Sequence, residues 1–529
     1  MTIDERTRRL WTYLPSAQKW AFFSCVVVGY LVHLYAFTNL IPNGDGLSRV
    51  FDYQQMTVSG RWFLHYASVL NGFTQMPAAI GLLSLLLLGL SAALIVDLLG
   101  IRGNVLAALS GGVLAAFPCL GFTFLYLFTA SAYCLAIFMA VLSVWLARRG
   151  RLGWVLGVLL LALTMGTYQA YVTVAIGLSM LLVLRNTMLR KAEFSDTLKL
   201  GLSLVGYLAA GALLYYMILL VMLEVKDLEL LSYLGMDAAS SGYPFAQLPG
   251  LVVDTYTQVI LFFFLAGSAN GFTNGWMVVL NVLLLALAAW FVYCRLKGKD
   301  LWEPWRLIGI AAMVVLFPLG INFGQIISPY SVPTPLMKFS YVLVYLAVLM
   351  VLQLADNIEK NLGWPPVVAL VAVCGLLFSF CNTNNLLYTS SAQAHRATES
   401  YLTRLLTRVE DCPGYENGME VVVIGAIPQQ HLRSDIESYR RVDHYSVPHS
   451  MVADLNKHIY YYWNDWMNVP IAEPTEETMI AVSNSKEFQA MPLYPEQGSV
   501  RVLDGRVVVK LRERYTPKSD FELAYEQRR

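Results

Sequence analysis

From Trp20 to Gly44 the chain carries no Asp, Glu, Lys or Arg. Such a run, as a helix rising 1.5 Å per residue, can cross a bilayer core of roughly 30 Å. In hydrocarbon every backbone polar group must find its partner inside the segment, and a helix does that. Comparable stretches recur at 78–99, 104–118, 129–147, 152–167, 170–186, 200–223, 276–295, 306–321, 337–355 and 364–381, eleven in all. The chain is expected to be a polytopic α-helical membrane protein. Hydrophobic residues make up 57% of its 529, with a mean hydropathy of +0.54. A water-soluble domain could not hide that much apolar side chain. The first run lacks a small-residue cleavage site and reads as a signal anchor.

Charge is distributed unevenly. Residues 383–529 hold 16 Lys/Arg and 20 Asp/Glu, about half of the 73 charges in the chain. This divides the sequence into a membrane body, 1–382, and a C-terminal domain, 383–529. In that domain EVVVIGAIP (420–428) and RVLDGRVVVKL (501–511) read as strands, the second with an Asp-Gly hairpin turn. Ser391 to Val409 reads as a helix, so a small α/β domain is expected. No glycine-rich phosphate loop or nucleophile elbow accompanies it.

Basic residues set the orientation. With the N-terminus in the cytoplasm, 17 Lys/Arg of the membrane body fall on the cytoplasmic side and four (Arg49, Arg61, Lys226 and Lys338) on the other. The segment 258–270 spoils this balance if it crosses, and is expected to be re-entrant or interfacial. An odd number of crossings then leaves the C-terminal domain extracytoplasmic. Net charge is +1, and no basic tract invites nucleic acid. The seven cysteines show no metal-binding spacing, and Cys381 could pair with Cys412 although nothing requires it.

Three places could carry chemistry. The first extracytoplasmic loop, 41–77, gathers Asp45, Arg49, Asp52, Arg61 and His65 within 21 positions. Asp45, Arg49 and Asp52, four and seven residues apart, would share one face of a helix. Asn43-Gly44-Asp45-Gly46 is equally a good turn, with Asp45 as a helix cap. The run Thr167-Tyr168-Gln169-Ala170-Tyr171 follows, although Tyr and Gln at a membrane interface usually serve as anchors. Lys338 is the basic residue of a proline-rich outward loop, placed to snorkel or to meet a lipid phosphate.

Together these pieces resemble the bacterial type II glucosyltransferases that modify O-antigen. The resemblance rests on Asp45 with Arg49 after the first helix, Gly60-Arg61, the Met165–Val172 run with its Tyr-Gln-Ala-Tyr, Pro318–Asn322 and the basic residue at 338. It covers most of residues 20–390. Departures are a single acid in Gly44-Asp45-Gly46 where the family often has two, and Lys rather than Arg at 338. The C-terminal domain matches nothing known to us.

The resemblance implies a GT-C-like fold in a bacterial inner membrane, with the site between membrane and extracytoplasmic loops. Nucleotide sugars are confined to the cytoplasm, so a polyprenyl-phosphate-linked sugar donor is expected. The acceptor would be an extracytoplasmic polysaccharide or lipid-linked glycan. Asp45 would be the general base, with Asp52 as the alternative, in direct displacement with inversion. Arg61, Arg49 or Lys338 would neutralise the departing phosphate, and Tyr168 and Gln169 would hold sugar hydroxyls. No ligand spacing marks a metal, and Mg²⁺ or Mn²⁺ at the outward carboxylates is left open. A transporter or flippase of an envelope lipid is the competing reading. It calls for ionisable residues at mid-membrane or repeated broken helices, and neither is seen. A scaffold for the C-terminal domain leaves the charged loop unexplained.

Overall fold

A computed structural model describes residues 2–41, 46, 53–72, 74–230, 245–267, 272–297, 302–328, 334–356, 363–428, 430, 436–440, 442 and 457–516. The chain divides into two compact units, Met1–Thr38 with Phe51–Asn385, and Asn39–Val50 with Leu386–Arg529.

The first unit is a bundle of α1 (Ser16–Thr38), α2 (Pro77–Leu99), α3 (Asn104–Ala116), α4 (Pro118–Leu125), α5 (Leu127–Ala147), α6 (Gly150–Thr167) and α7 (Val172–Thr187). It continues with α8 (Phe194–Lys226), α9 (Leu248–Phe264), α10 (Gly275–Lys297), α11 (Pro304–Ile321), α12 (Leu343–Asp356) and the first half of α13 (Pro365–Glu410). Eleven unbroken helices, some extended by a 3-10 turn, are long and apolar enough to cross a membrane. The bent pair α3–α4 raises that to as many as 12. Pro118 causes the 40° bend, because the residue before a proline is kept out of the helical region and Phe117 sits at φ −57°, ψ 127°.

Side-chain contacts fix the direction of each helix. Ser24 Oγ donates to the Ala108 carbonyl (2.6 Å) and His33 Nε2 to that of Ala115 (2.8 Å), so α1 and α3 run parallel. Asn71, ahead of α2, reaches the Phe128 carbonyl at the start of α5, so the bent pair traverses the bundle. Arg149 meets Asp97 (3.7 Å) and Arg295 Nε donates to Met188 O (2.9 Å), whereas Lys226 Nζ donates to Thr57 Oγ1 (3.0 Å). The bundle thus has an Arg61 end and an Asp97 end. α8 finishes and α10 begins at the Arg61 end, so α9 leaves from and returns to one side.

Eleven traverses of the bundle result when the bent pair counts as one and α9, where the segment 258–270 was expected to be re-entrant, is left out; α9 with its preceding turn is itself long and apolar enough to cross. The helix starts ten residues earlier than that segment, at Leu248. Its C-terminal end is pinned by Asn281, whose Nδ2 donates to Phe263 O (2.8 Å).

In the second unit, β1 (Val421–Ile424) lies parallel to β3 (Arg506–Lys510), and β2 (Val500–Leu503) antiparallel to it, in the order β1-β3-β2. Asp504 (φ 48°) and Gly505 (φ 74°) form the hairpin turn, whose two left-handed positions suit this pair. Alternation along the strands divides the core. Val421, Val423, Val507 and Val509 face Tyr401, Leu402, Leu405 and Val409 of α13, while Val422, Ile424 and Val508 face Met479 and Phe488. Tyr460 closes the exposed side of β1, its hydroxyl accepting from Val423 N (2.8 Å) and donating to Val421 O (3.0 Å). All seven cysteines are free thiols, so the pairing of Cys381 with Cys412 is not made.

Candidate active site

Asp45, Arg49 and Asp52 lie outside the described residues. The remaining expected residues are Arg61, Tyr168, Gln169 and Lys338.

Arg61 sits in a tight turn between the short helices Tyr53–Val58 and Leu64–Ser68. The turn closes through Gly60 N to Thr57 O (2.8 Å) and Arg61 N to Met56 O (2.7 Å). Gly60 adopts φ +75°, a left-handed conformation that glycine takes without strain. It also leaves no space for a side chain: a Cβ would collide with Gln169 Nε2 and come within 2.7 Å of the Tyr215 hydroxyl.

Gln169, in the short 3-10 turn Gln169–Tyr171 between α6 and α7, holds this turn from below. Its Nε2 donates to Ser59 O (2.9 Å) and to the Tyr215 hydroxyl (3.1 Å), which in turn donates to Gly60 O (3.0 Å). Phe63 N to Gly166 O (2.7 Å) ties the following segment to the end of α6. Trp62 packs against Gly166 and stacks on Tyr215, with ring centroids 6.5 Å apart.

The Arg61 guanidinium lies over the Tyr168 ring, its carbon 5.0 Å from the centroid. Tyr168 is itself fixed from behind by the Tyr133 ring, stacked at 4.7 Å, and by Tyr171 edge-on at 5.3 Å. Tyr171 then meets Phe339 at 6.4 Å. Phe339 and Lys338 belong to the 3-10 segment Pro335–Val342 that opens the last span before α13. The Lys338 side chain turns inward and is 1% exposed, within electrostatic range of Cys119 at the start of α4. It does not snorkel.

The structure therefore brings Arg61, Tyr168 and Gln169 together, and joins Lys338 to them only through a chain of aromatic rings. The amide nitrogen of Gln169 is spent on the protein, leaving its carbonyl oxygen unused by these bonds. Tyr133, Tyr215 and Trp62 were not foreseen. For Tyr215 the available signal was a hydroxyl inside the apolar run Gly211–Leu220. Chemically, a guanidinium backed by an aromatic face offers planar donors to an anion such as a phosphate. Among the described residues no three His, Cys, Asp or Glu side chains gather to hold a metal.

Residues 34–351 match the protein family described as Glucosyl transferase GtrII. No curated protein and no solved structure matches the chain. The matched stretch contains Arg61, Tyr168, Gln169 and Lys338 and is more than half of the sequence. The chain belongs to the GtrII glucosyl transferase family and is a multi-pass membrane glucosyltransferase.

Proposed function

We propose that the protein transfers glucose from a polyprenyl-phosphate donor to an extracytoplasmic glycan or glycolipid, using a GT-C-like site in a bacterial inner membrane. The observation that carries this reading is the Arg61 guanidinium over Tyr168, on a turn whose backbone is held by Gln169 and Tyr215 at the end of the bundle. A cation fixed there at the membrane boundary suits a phosphate on a lipid carrier better than a soluble nucleotide.

In the reaction proposed, Asp45 takes the proton of the acceptor hydroxyl, with Asp52 as the alternative base. The oxygen attacks the anomeric carbon from the face opposite the phosphate. The bond from that carbon to the phosphate oxygen breaks, and the leaving phosphate carries away the electron pair. Configuration inverts. Arg61, assisted by Arg49 or Lys338, holds the departing charge, an interaction that grows as the bond breaks. Tyr168 and the carbonyl of Gln169 border the sugar. The excess of basic residues at the Asp97 end supports a cytoplasmic assignment for that end, and an extracytoplasmic one for 383–529.

The test is reconstitution in proteoliposomes with polyprenyl-phosphate glucose or a nucleotide-activated glucose as donor. Transfer with inversion from the lipid donor alone is expected. Transfer from the nucleotide sugar would remove the lipid donor from the scheme. Movement of the lipid across the bilayer without any transfer would favour the flippase reading.

A further inference from the structure

The helices that carry the Arg61 cluster at one end carry a second charged group at the other. α2 runs from Pro77 to Leu99, α6 from Gly150 to Thr167 and α7 from Val172 to Thr187. Beyond their Arg61 ends lie Asn71, Tyr168 and Tyr171. At their opposite ends Asp97, Leu98, Trp145, Arg148, Arg149 and Arg185 line a hollow of about 350 Å³. Arg102 adds its charge at the margin, a like-charged neighbour of Arg185 together with Arg148.

This group is built rather than merely collected. α2 ends in a left-handed Gly100 (φ +68°), with Gly100 N bonded to Asp97 O (3.1 Å) and Ile101 N to Val96 O (3.0 Å). The Arg185 guanidinium lies across Gly100, where a Cβ would come 2.7 Å from its Cζ and Nε. Arg149 is clamped between the Trp145 ring, 3.5 Å from its guanidinium carbon, and Asp97 at 3.7 Å. Trp145 Nε1 also donates to Asp97 (2.8 Å).

The one carboxylate is thus occupied by Trp145 and Arg149. Arg102, Arg148 and Arg185 remain around the hollow with net positive charge. Arg185 Nε is buried and bonds to no acceptor among the described residues. Several guanidinium groups held together at a membrane boundary, with a buried donor unspent, describe a receptor for an anion rather than a solvated face.

We propose that this hollow binds a phosphate group at the end of the bundle remote from Arg61, carried on an anionic membrane lipid or presented as free phosphate. Guanidinium groups match phosphate oxygens in a planar, two-pronged way, and such basic pockets between spanning helices receive lipid headgroups. The site is separate from the proposed transfer site and does not depend on it.

The test uses the full chain in nanodiscs of phosphatidylcholine with and without phosphatidylglycerol. Phosphatidylglycerol retained after extraction into neutral detergent is counted by mass spectrometry. Arg102→Gln/Arg148→Gln alters two exposed side chains and is expected to fold. It should lose retained lipid about tenfold or more, as expected for losing charge-assisted bonds. Arg190→Gln/Lys191→Gln, the same change of charge at two exposed residues off the hollow, should retain as much as the wild type. In a second arm, inorganic phosphate is titrated into lipid-free protein in detergent and the melting temperature followed. Stabilisation in wild type but not in the double variant, without lipid retention, would assign the site to free phosphate. Equal lipid retention and no phosphate response in wild type and variant would overturn the site. An equal loss in Arg190→Gln/Lys191→Gln would reduce it to general surface charge and overturn it as well.

Discussion

The guanidinium of Arg61 rests on the ring of Tyr168, its carbon 5.0 Å from the centroid, and that ring is stacked in turn on Tyr133. A cation held this way keeps its donors directed at a ligand without first losing rotamer freedom. Arg61→Ala should raise the apparent KM for a polyprenyl-phosphate sugar and lower kcat/KM, read in steady-state transfer assays. Arg61→Lys should restore little, because a point charge cannot reproduce two parallel bonds or the stacking. Tyr168→Leu should cost less, about 0.5–2 kcal/mol of the same transition-state stabilisation. Unchanged donor kinetics in Arg61→Ala would remove this residue from the site.

Gly60 is the second place where geometry gives a sharp expectation. Its φ of +75° and the nearness of the Tyr215 hydroxyl, 2.7 Å from any added Cβ, both oppose a side chain. Gly60→Ala should destabilise the protein by about 1 kcal/mol or more, seen as a lower melting temperature, and should depress transfer by displacing Arg61. A variant as stable and active as wild type would show that the turn does not position the arginine.

Gln169 acts on Arg61 from the other side, through Ser59 O at 2.9 Å and Tyr215 at 3.1 Å. If it positions the arginine, Gln169→Leu should raise the donor KM in wild type and add little in an Arg61→Ala background. A double-mutant cycle measures this, and residues sharing a network couple by about 0.5–3 kcal/mol. Fully additive effects would instead give Gln169 a contact of its own with the sugar.

How far the sequence revealed this depends on which interactions carry a local signal. The spans were legible because charge is excluded from them, and the Asp504-Gly505 hairpin because left-handed turn positions select those residues. The break at Pro118 truncated a span that the structure completes with Pro118–Leu125. α9 was legible only in its apolar second half, since Asp254 interrupts the first. Tyr168 and Gln169 stood out as polar residues between apolar runs, but their packing partners did not. That Gln169 supports a turn more than a hundred residues away is a tertiary fact. Lys338 was expected at the surface, where a lone lysine is cheapest, and it is buried instead.

The extracytoplasmic orientation proposed for the C-terminal unit rests on the basic residues of the loops, and chemistry can read it directly. Asn484 is exposed at the end of the helix Glu476–Asn484. In intact spheroplasts, Asn484→Cys should react with a membrane-impermeant thiol reagent. Labelling only after lysis would reverse the orientation and move the proposed donor phosphate to the wrong side of the membrane.

Asp45 is the proposed base, and its test separates chemistry from structure. It follows the first span directly, in a loop whose charges are rare elsewhere in the membrane body. An asparagine keeps the size and turn preference of aspartate, and caps a helix about as well, so a structural role would survive Asp45→Asn. A base role would not, because an amide cannot take up the acceptor proton. Turnover should then fall by about 10²–10⁴, with expression and melting temperature near wild type. Asp52→Asn is the matched control and should cost much less. If Asp45→Asn transfers glucose at the wild-type rate while Asp52→Asn is inactive, the two carboxylates exchange roles. If both variants stay fully active, neither carboxylate is the base, and the proton must pass to another group, with His65 the remaining base in this loop.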